Sequence, residues 1–128
     1  MSYYFSTTLR IAFDDAIIKV KEALKKEGFG VLTEIDVKTT LKKKLDVDFN
    51  NYMILGACNP PFAYKALQAE NKIGVMLPCN VIVQETGEGD VEVAAVDPLS
   101  SMQAIENEAL GTIAHQVQSK LKKVIESL

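Results

Sequence analysis

The chain holds only two cysteines and one histidine in 128 residues, and that scarcity removes several chemistries at once. There is no Cys-x-x-Cys pair, so the ligand spacing of a zinc site is missing and no metal is expected. A domain of this length builds a core without disulfides, and two thiols in a reducing compartment stay reduced unless they do redox work. Apolar runs are short: none approaches the roughly 18 residues of a membrane span. Basic charge is not in excess either, with 14 Lys and Arg against 17 Asp and Glu and a net charge of −3. That balance gives no global reason to bind nucleic acid or an anionic membrane, and neither partner is expected. No repeat, low-complexity tract or Pro/Gly-rich linker divides the sequence, which reads as a single domain over residues 1–128. The opening residues, Met1 to Phe5, lack the basic start and small-residue cleavage site of a signal peptide, so a cytoplasmic location is expected.

What remains is the composition of a globular protein, 48% hydrophobic and 24% charged. Tyr3, Phe5, Thr7, Leu9 and Ile11 alternate with polar positions and read as a half-buried strand. Phe13, Ile17, Val20 and Leu24 recur at helical spacing, with Asp14 and Asp15 in the first turn, Lys25 and Lys26 in the last and Gly28 as the stop. Phe29 to Val37 reads as a strand with Phe29, Val31, Thr33, Ile35 and Val37 on one face. Val37, Leu41 and Leu45 then mark a short helix. A third strand runs from Tyr52 to Cys58, and Asn59 as N-cap with Pro60 at the first helical position starts a helix that extends to Asn71. Ile73 to Glu85 and Val91 to Val96 read as two more strands around the loop Gly87-Glu88-Gly89-Asp90. Leu110, Ile113, Ala114, Val117, Leu121, Val124, Ile125 and Leu128 make one wide apolar helical face that must dock on a sheet. The fold expected is an α+β two-layer sandwich: a mostly antiparallel sheet of about five strands with two long helices on one face.

Several of these segments resemble the bacterial and archaeal family Domain of Unknown Function 302. The resemblance rests on Asp36-Val37-Lys38, Leu41 to Leu45, Tyr52 to Pro60, Ala66-Leu67, Gly74, Leu77 to Val83 and Asp97-Pro98. The paired Ala57-Cys58-Asn59-Pro60 and Leu77-Pro78-Cys79-Asn80 motifs are its most specific part. It implies a fold similar to the TATA-binding-protein-like class, with a curved sheet, and a homodimer. It implies no activity, and likeness of fold to a DNA-bending protein carries no function.

Both thiols sit directly before an asparagine, so Cys58, Asn59, Cys79 and Asn80 are the candidate ligand-binding residues. Cys58 ends a strand one residue before a helix cap, where the helix dipole favours an anion and lowers a thiol pKa. Pro60 and Pro61, however, delete two of the first N–H donors that a bound oxyanion would need. The competing reading is a small thiol packed under the helix. Period-two alternation puts Cys79 on one face with Val75, Leu77, Val81 and Val83, facing the core, and Asn80 on the other beside Pro78 and Ile82. Pro78 cannot donate to a ladder and points to a sheet edge or a bulge.

A redox pair or soft-metal site built from Cys58 and Cys79 depends on a separation that the sequence leaves open. His115 lies far from the apolar stripe of the last helix and faces solvent, and no nucleophilic triad is visible. Glu34 and Asp36 read as solvated carboxylates, and Lys38, Lys42, Lys43 and Lys44 as a solvated face. The second sheet face, with Met53, Leu55, Ile82 and Asn80, is too apolar to stay bare. The expectation is therefore a homodimeric, non-enzymatic module that binds a small molecule or a protein partner, with no catalytic residue and no cofactor assigned. The alternative is a thiol-dependent enzyme with Cys58 as nucleophile, or a redox or metal protein using both thiols.

Overall fold

The computed structural model describes residues 2–87 and 89–128; Glu88, in the expected hairpin loop, lies outside the described residues. The elements are β1 (Tyr4–Leu9), α1 (Phe13–Lys26), β2 (Gly30–Asp36), α2 (Val37–Leu45), β3 (Tyr52–Cys58), α3 (Pro60–Ala69), β4 (Cys79–Gly87), β5 (Asp90–Val96), α4 (Pro98–Ser101) and α5 (Glu108–Glu126). The five strands form one sheet in the order β1-β5-β4-β3-β2, and every neighbouring pair is antiparallel. Since β1 and β2 occupy opposite edges, α1 must cross the sheet to connect them. This is the α+β architecture expected from the periodicities.

The sequence dictates the helix layer. Along α1, Ala16, Ile17, Val20, Ala23 and Leu24 are buried; α5 buries Val117, Leu121, Val124 and Ile125 among others. These side chains meet Leu55, Val81, Val83, Val93 and Ala95 of the sheet in one apolar core. Each fully buried aliphatic side chain contributes about 1.5–3 kcal/mol relative to exposure. A smaller second core joins Ala66 of α3, Leu110 of α5 and Ile73.

Four details depart from the sequence-based expectation. Ile73–Met76 is a short 3-10 turn and β4 begins only at Cys79; Val75 is 85% exposed instead of sharing a face with Cys79. Pro78 does not mark an edge: it precedes the first residue of the central strand β4, where no ladder donor is demanded of it. Met53 and Leu55 belong to the helix side. They pair with Val83 and Val81, and Leu55 is fully buried in the main core. The open face instead carries Tyr52 and Ile54 with Asn80, Ile82 and Gln84, because side chains alternate along both strands. In β2, the register shifts between Val31 and Thr33. Phe29 and Val31 pack on the core, and the extra residue turns Thr33 and Ile35 to the open face opposite Gly56 and Ile54.

Gly56 is fixed by this bulge. A Cβ there would collide with Thr33 Oγ1 and lie 2.8 Å from Pro78 Cγ. Because Pro78 is a rigid ring and Thr33 belongs to the strand's own ladder, neither gives way cheaply. Gly56→Ala is expected to lower stability by about 1–3 kcal/mol, the range for overpacked interiors, as measured by urea unfolding. An unchanged midpoint would show that β2 shifts freely.

Candidate functional site

β3 ends at Cys58 and α3 begins at Pro60, so Asn59 occupies the N-cap position. Its side chain makes no capping bond, contrary to the expected cap. An N-cap side chain accepts from the second or third N–H of its helix, and Pro61 has removed one of those donors. The Asn59 amide is used elsewhere: Nδ2 donates to the Glu27 carbonyl at 3.1 Å. Glu27 follows the last turn of α1, where carbonyls lack intrahelical partners. Gly28, at φ 87°, closes that helix, with its N–H on the Lys25 carbonyl at 3.0 Å and the Phe29 N–H on the Leu24 carbonyl at 2.9 Å. This is the Schellman pattern that a glycine supports without strain. Asn59 is thus a tie between the end of α1 and the start of α3.

The far end of α3 is tied in the same way. Asn107 caps α5, its Oδ1 accepting from the Leu110 N–H at 3.2 Å. Its Nδ2 donates to the Ala69 carbonyl, the last of α3, at 2.8 Å. Pinned at both termini, α3 packs against α5 and borders an apolar cavity of about 310 Å³ that opens to solvent beside Leu32 and Leu67. The cavity lies between the two cores. Phe29, Ala57, Cys79 and Val117 line it from the main core, and Ala66, Leu77, Met102, Leu110 and Ile113 from the smaller one. Small side chains on opposing walls (Ala57, Ala63, Ala66 and Ala114) leave the space open. Of all the lining side chains, only Asn59 carries a nitrogen or oxygen, and none is charged.

Three of the four sequence-predicted residues, Cys58, Asn59 and Cys79, meet at this cavity. Asn80 does not join them: it faces the open side of the sheet, in a groove of about 390 Å³ with Tyr3, Tyr4, Tyr52, Ile82 and Gln84. Cys79 is buried opposite Ala57. Burial, and secondarily the neighbouring Cys58, pushes its thiol up to about 11. At neutral pH it is a protonated thiol shielded from solvent, which slows its reaction with external reagents. Cys58 is half-buried. Among the described residues no cluster of three or more His, Cys, Asp or Glu is placed to hold a metal ion. His115 is exposed. Asp36 caps α2 through the Thr39 N–H at 3.0 Å, and Glu34 pairs with Lys21 at 3.0 Å; both carboxylates are surface groups with structural partners. Among the described residues no helix is long and apolar enough to cross a membrane.

The walls supplied by α3, α4 and α5 escaped the sequence reading. The signal available was the pair Ala63 and Ala66, three apart on a helix that otherwise carries Phe62 and Leu67.

Comparison with known proteins places this geometry in a family. Residues 5–128 match the model of the domain of unknown function DUF302. The crystal structure of an uncharacterized conserved protein DUF302 from Bacillus stearothermophilus is similar over 98% of each chain, with 27% identity and a TM-score of 0.90. No curated protein matches the chain.

Two measurements follow from the thiol environments. Ellman's reagent should modify Cys58 in the folded protein and Cys79 only on unfolding; equal rates would contradict the burial. The raised Cys79 pKa also sets a pH dependence. Between the ordinary thiol value of 9.0 and about 11, the unfolded chain loses a proton that the folded one keeps. Stability, full below pH 9, therefore falls as pH rises through 11, by on the order of 2–3 kcal/mol. Tyr52, raised by burial first and then by Tyr3 and Glu92, adds a decline of the same sign. Comparing the pH slope of Cys79→Ala with that of the parent isolates the thiol.

Proposed function

The chain belongs to the DUF302 family, and we propose that it is a non-enzymatic binding module that takes a small, largely apolar molecule into the cavity beneath α3. The cavity itself carries the reading. The pocket opens to solvent beside the exposed Leu32 and Leu67, so its apolar lining stays in contact with water until a ligand covers it. Two asparagine ties fix the helix that forms one wall. The cavity volume of about 310 Å³ stands at the lower end of the roughly 300–1,000 Å³ typical of ligand pockets. Apart from the two thiols, no lining side chain is an acid or a base, and this supports binding over catalysis.

In the same reading, a second copy of the chain closes the open sheet face. Tyr3 and Tyr4 are 67% and 42% exposed there, and Ile35 is 48% exposed. Gln84 already engages Glu92, its Nε2 donating to a carboxylate oxygen at 2.9 Å, so part of the hydrogen-bonding capacity of that carboxylate is met within the chain. Five strands about 4.8 Å apart and about six residues long make a face of roughly 24 by 20 Å. That flat area, about 480 Å², is a lower bound on the accessible surface of the face, against the roughly 800 Å² that each partner contributes to a standard interface.

Titration calorimetry with n-butylbenzene tests the cavity. Binding by the parent and none by Ala66→Leu, whose added methylenes fill the space, are expected; no binding, or equal binding by both, would contradict the reading. Sedimentation velocity tests the face: the parent should sediment as a dimer and Ile82→Arg as a monomer. A parent that is monomeric at every concentration would remove the second copy.

A further inference from the structure

Asn59 is, among the described residues, the one buried polar or charged side chain, 8% accessible. Its nitrogen is committed to the Glu27 carbonyl, and this fixes which way the amide is turned. Among the described residues nothing donates to Oδ1, yet no buried side-chain nitrogen or oxygen is sealed off without a partner. The oxygen therefore keeps its access, and the open space that Asn59 borders is the cavity. The other lining side chains carry only carbon and sulfur, so Asn59 Oδ1 is the one side-chain oxygen that the lining can offer a ligand.

Building on the cavity reading above, we propose that the bound molecule is a neutral alcohol or phenol: an apolar body with a single hydroxyl that donates to Asn59 Oδ1. A carboxylate is disfavoured, since it offers no proton, faces the carbonyl dipole end-on and meets no lysine, arginine or histidine on the cavity wall. A cationic amine has a donor but no carboxylate to compensate its burial. A cavity of about 150 Å³ holds benzene, so twice that volume suits a body of about ten heavy atoms.

The probes are 4-propylphenol and its methyl ether, 4-propylanisole, titrated calorimetrically into the purified full-length protein. The ether is the more apolar of the two, so a site without the acceptor would prefer it. The expected result is a phenol bound about tenfold more tightly than the ether, the worth of one buried hydrogen bond. The Asn59 side-chain amide resonance should shift with the phenol and not with the ether. Asn59→Ala should lose the preference in whatever binding survives the loss of its tie to the end of α1. If Asn59→Ala does not fold, the ratio and the amide shift in the parent protein decide alone. Equal or tighter binding of the ether overturns the donor requirement and leaves the cavity reading standing. If neither probe binds, the cavity reading falls and the donor requirement falls with it.

Discussion

The hydrogen bond from Asn59 Nδ2 to the Glu27 carbonyl joins two elements that the chain order keeps 32 residues apart. It answers an unpaired carbonyl at the end of α1, and in doing so it sets where α3 begins. Among the described residues no protein group donates to the Oδ1 of the same amide. Gly28 makes the approach feasible, because a Cβ at that position would stand 3.1 Å from Asn59 Nδ2. The glycine is needed twice, for its positive φ and for this contact. With Asn107 donating to the Ala69 carbonyl at the other end, both termini of α3 are fixed.

The two thiols, the most reactive groups in the chain, take a different meaning in this frame. Cys79 lies in the sheet wall beneath α3, buried and protonated at neutral pH. It serves there as a small apolar surface. Cys58 stands at the end of β3 beside the junction that Asn59 closes. Both motifs, Ala57-Cys58-Asn59-Pro60 and Leu77-Pro78-Cys79-Asn80, come together because β3 and β4 are neighbours and Ala57 pairs with Cys79. Gly56 holds the second motif close by leaving room for Pro78. The recurrence of Cys-Asn in the chain thus reflects two adjacent strand ends that build one wall, although their asparagines look to opposite sides of the sheet.

Much of this was legible in the sequence. The periodicities of Phe13 to Leu24 and Leu110 to Leu128 mark the two long helices, and Cys58-Asn59-Pro60 marks the junction of strand and helix. Face assignment was harder in β3, where Tyr52 and Ile54 are as apolar as Met53 and Leu55. Alternation cannot tell inside from outside when both sides are apolar, and only pairing with Val81 and Val83 settles it. Ile73, Val75 and Leu77 mimic a strand, yet Gly74 and Pro78 interrupt it and Val75 ends in solvent. The bulge in β2 leaves no local mark, and only the pairing of Thr33 with Gly56 across the ladder reveals it. The partner of Asn59 was equally hidden, being an ordinary backbone carbonyl that any residue at position 27 would supply.

The proposed ligand depends on the apolar space between α3, α5 and the ends of β3 and β4 being present before anything binds. A crystal of the protein pressurised with xenon reports on that space, because xenon enters apolar cavities and avoids polar ones. Xenon density is expected between Ala66, Leu77 and Val117, with α3 unmoved and Asn59 still on the Glu27 carbonyl. A structure in which α3 lies against Cys79, with no xenon between them, would show that no such space exists in the free protein.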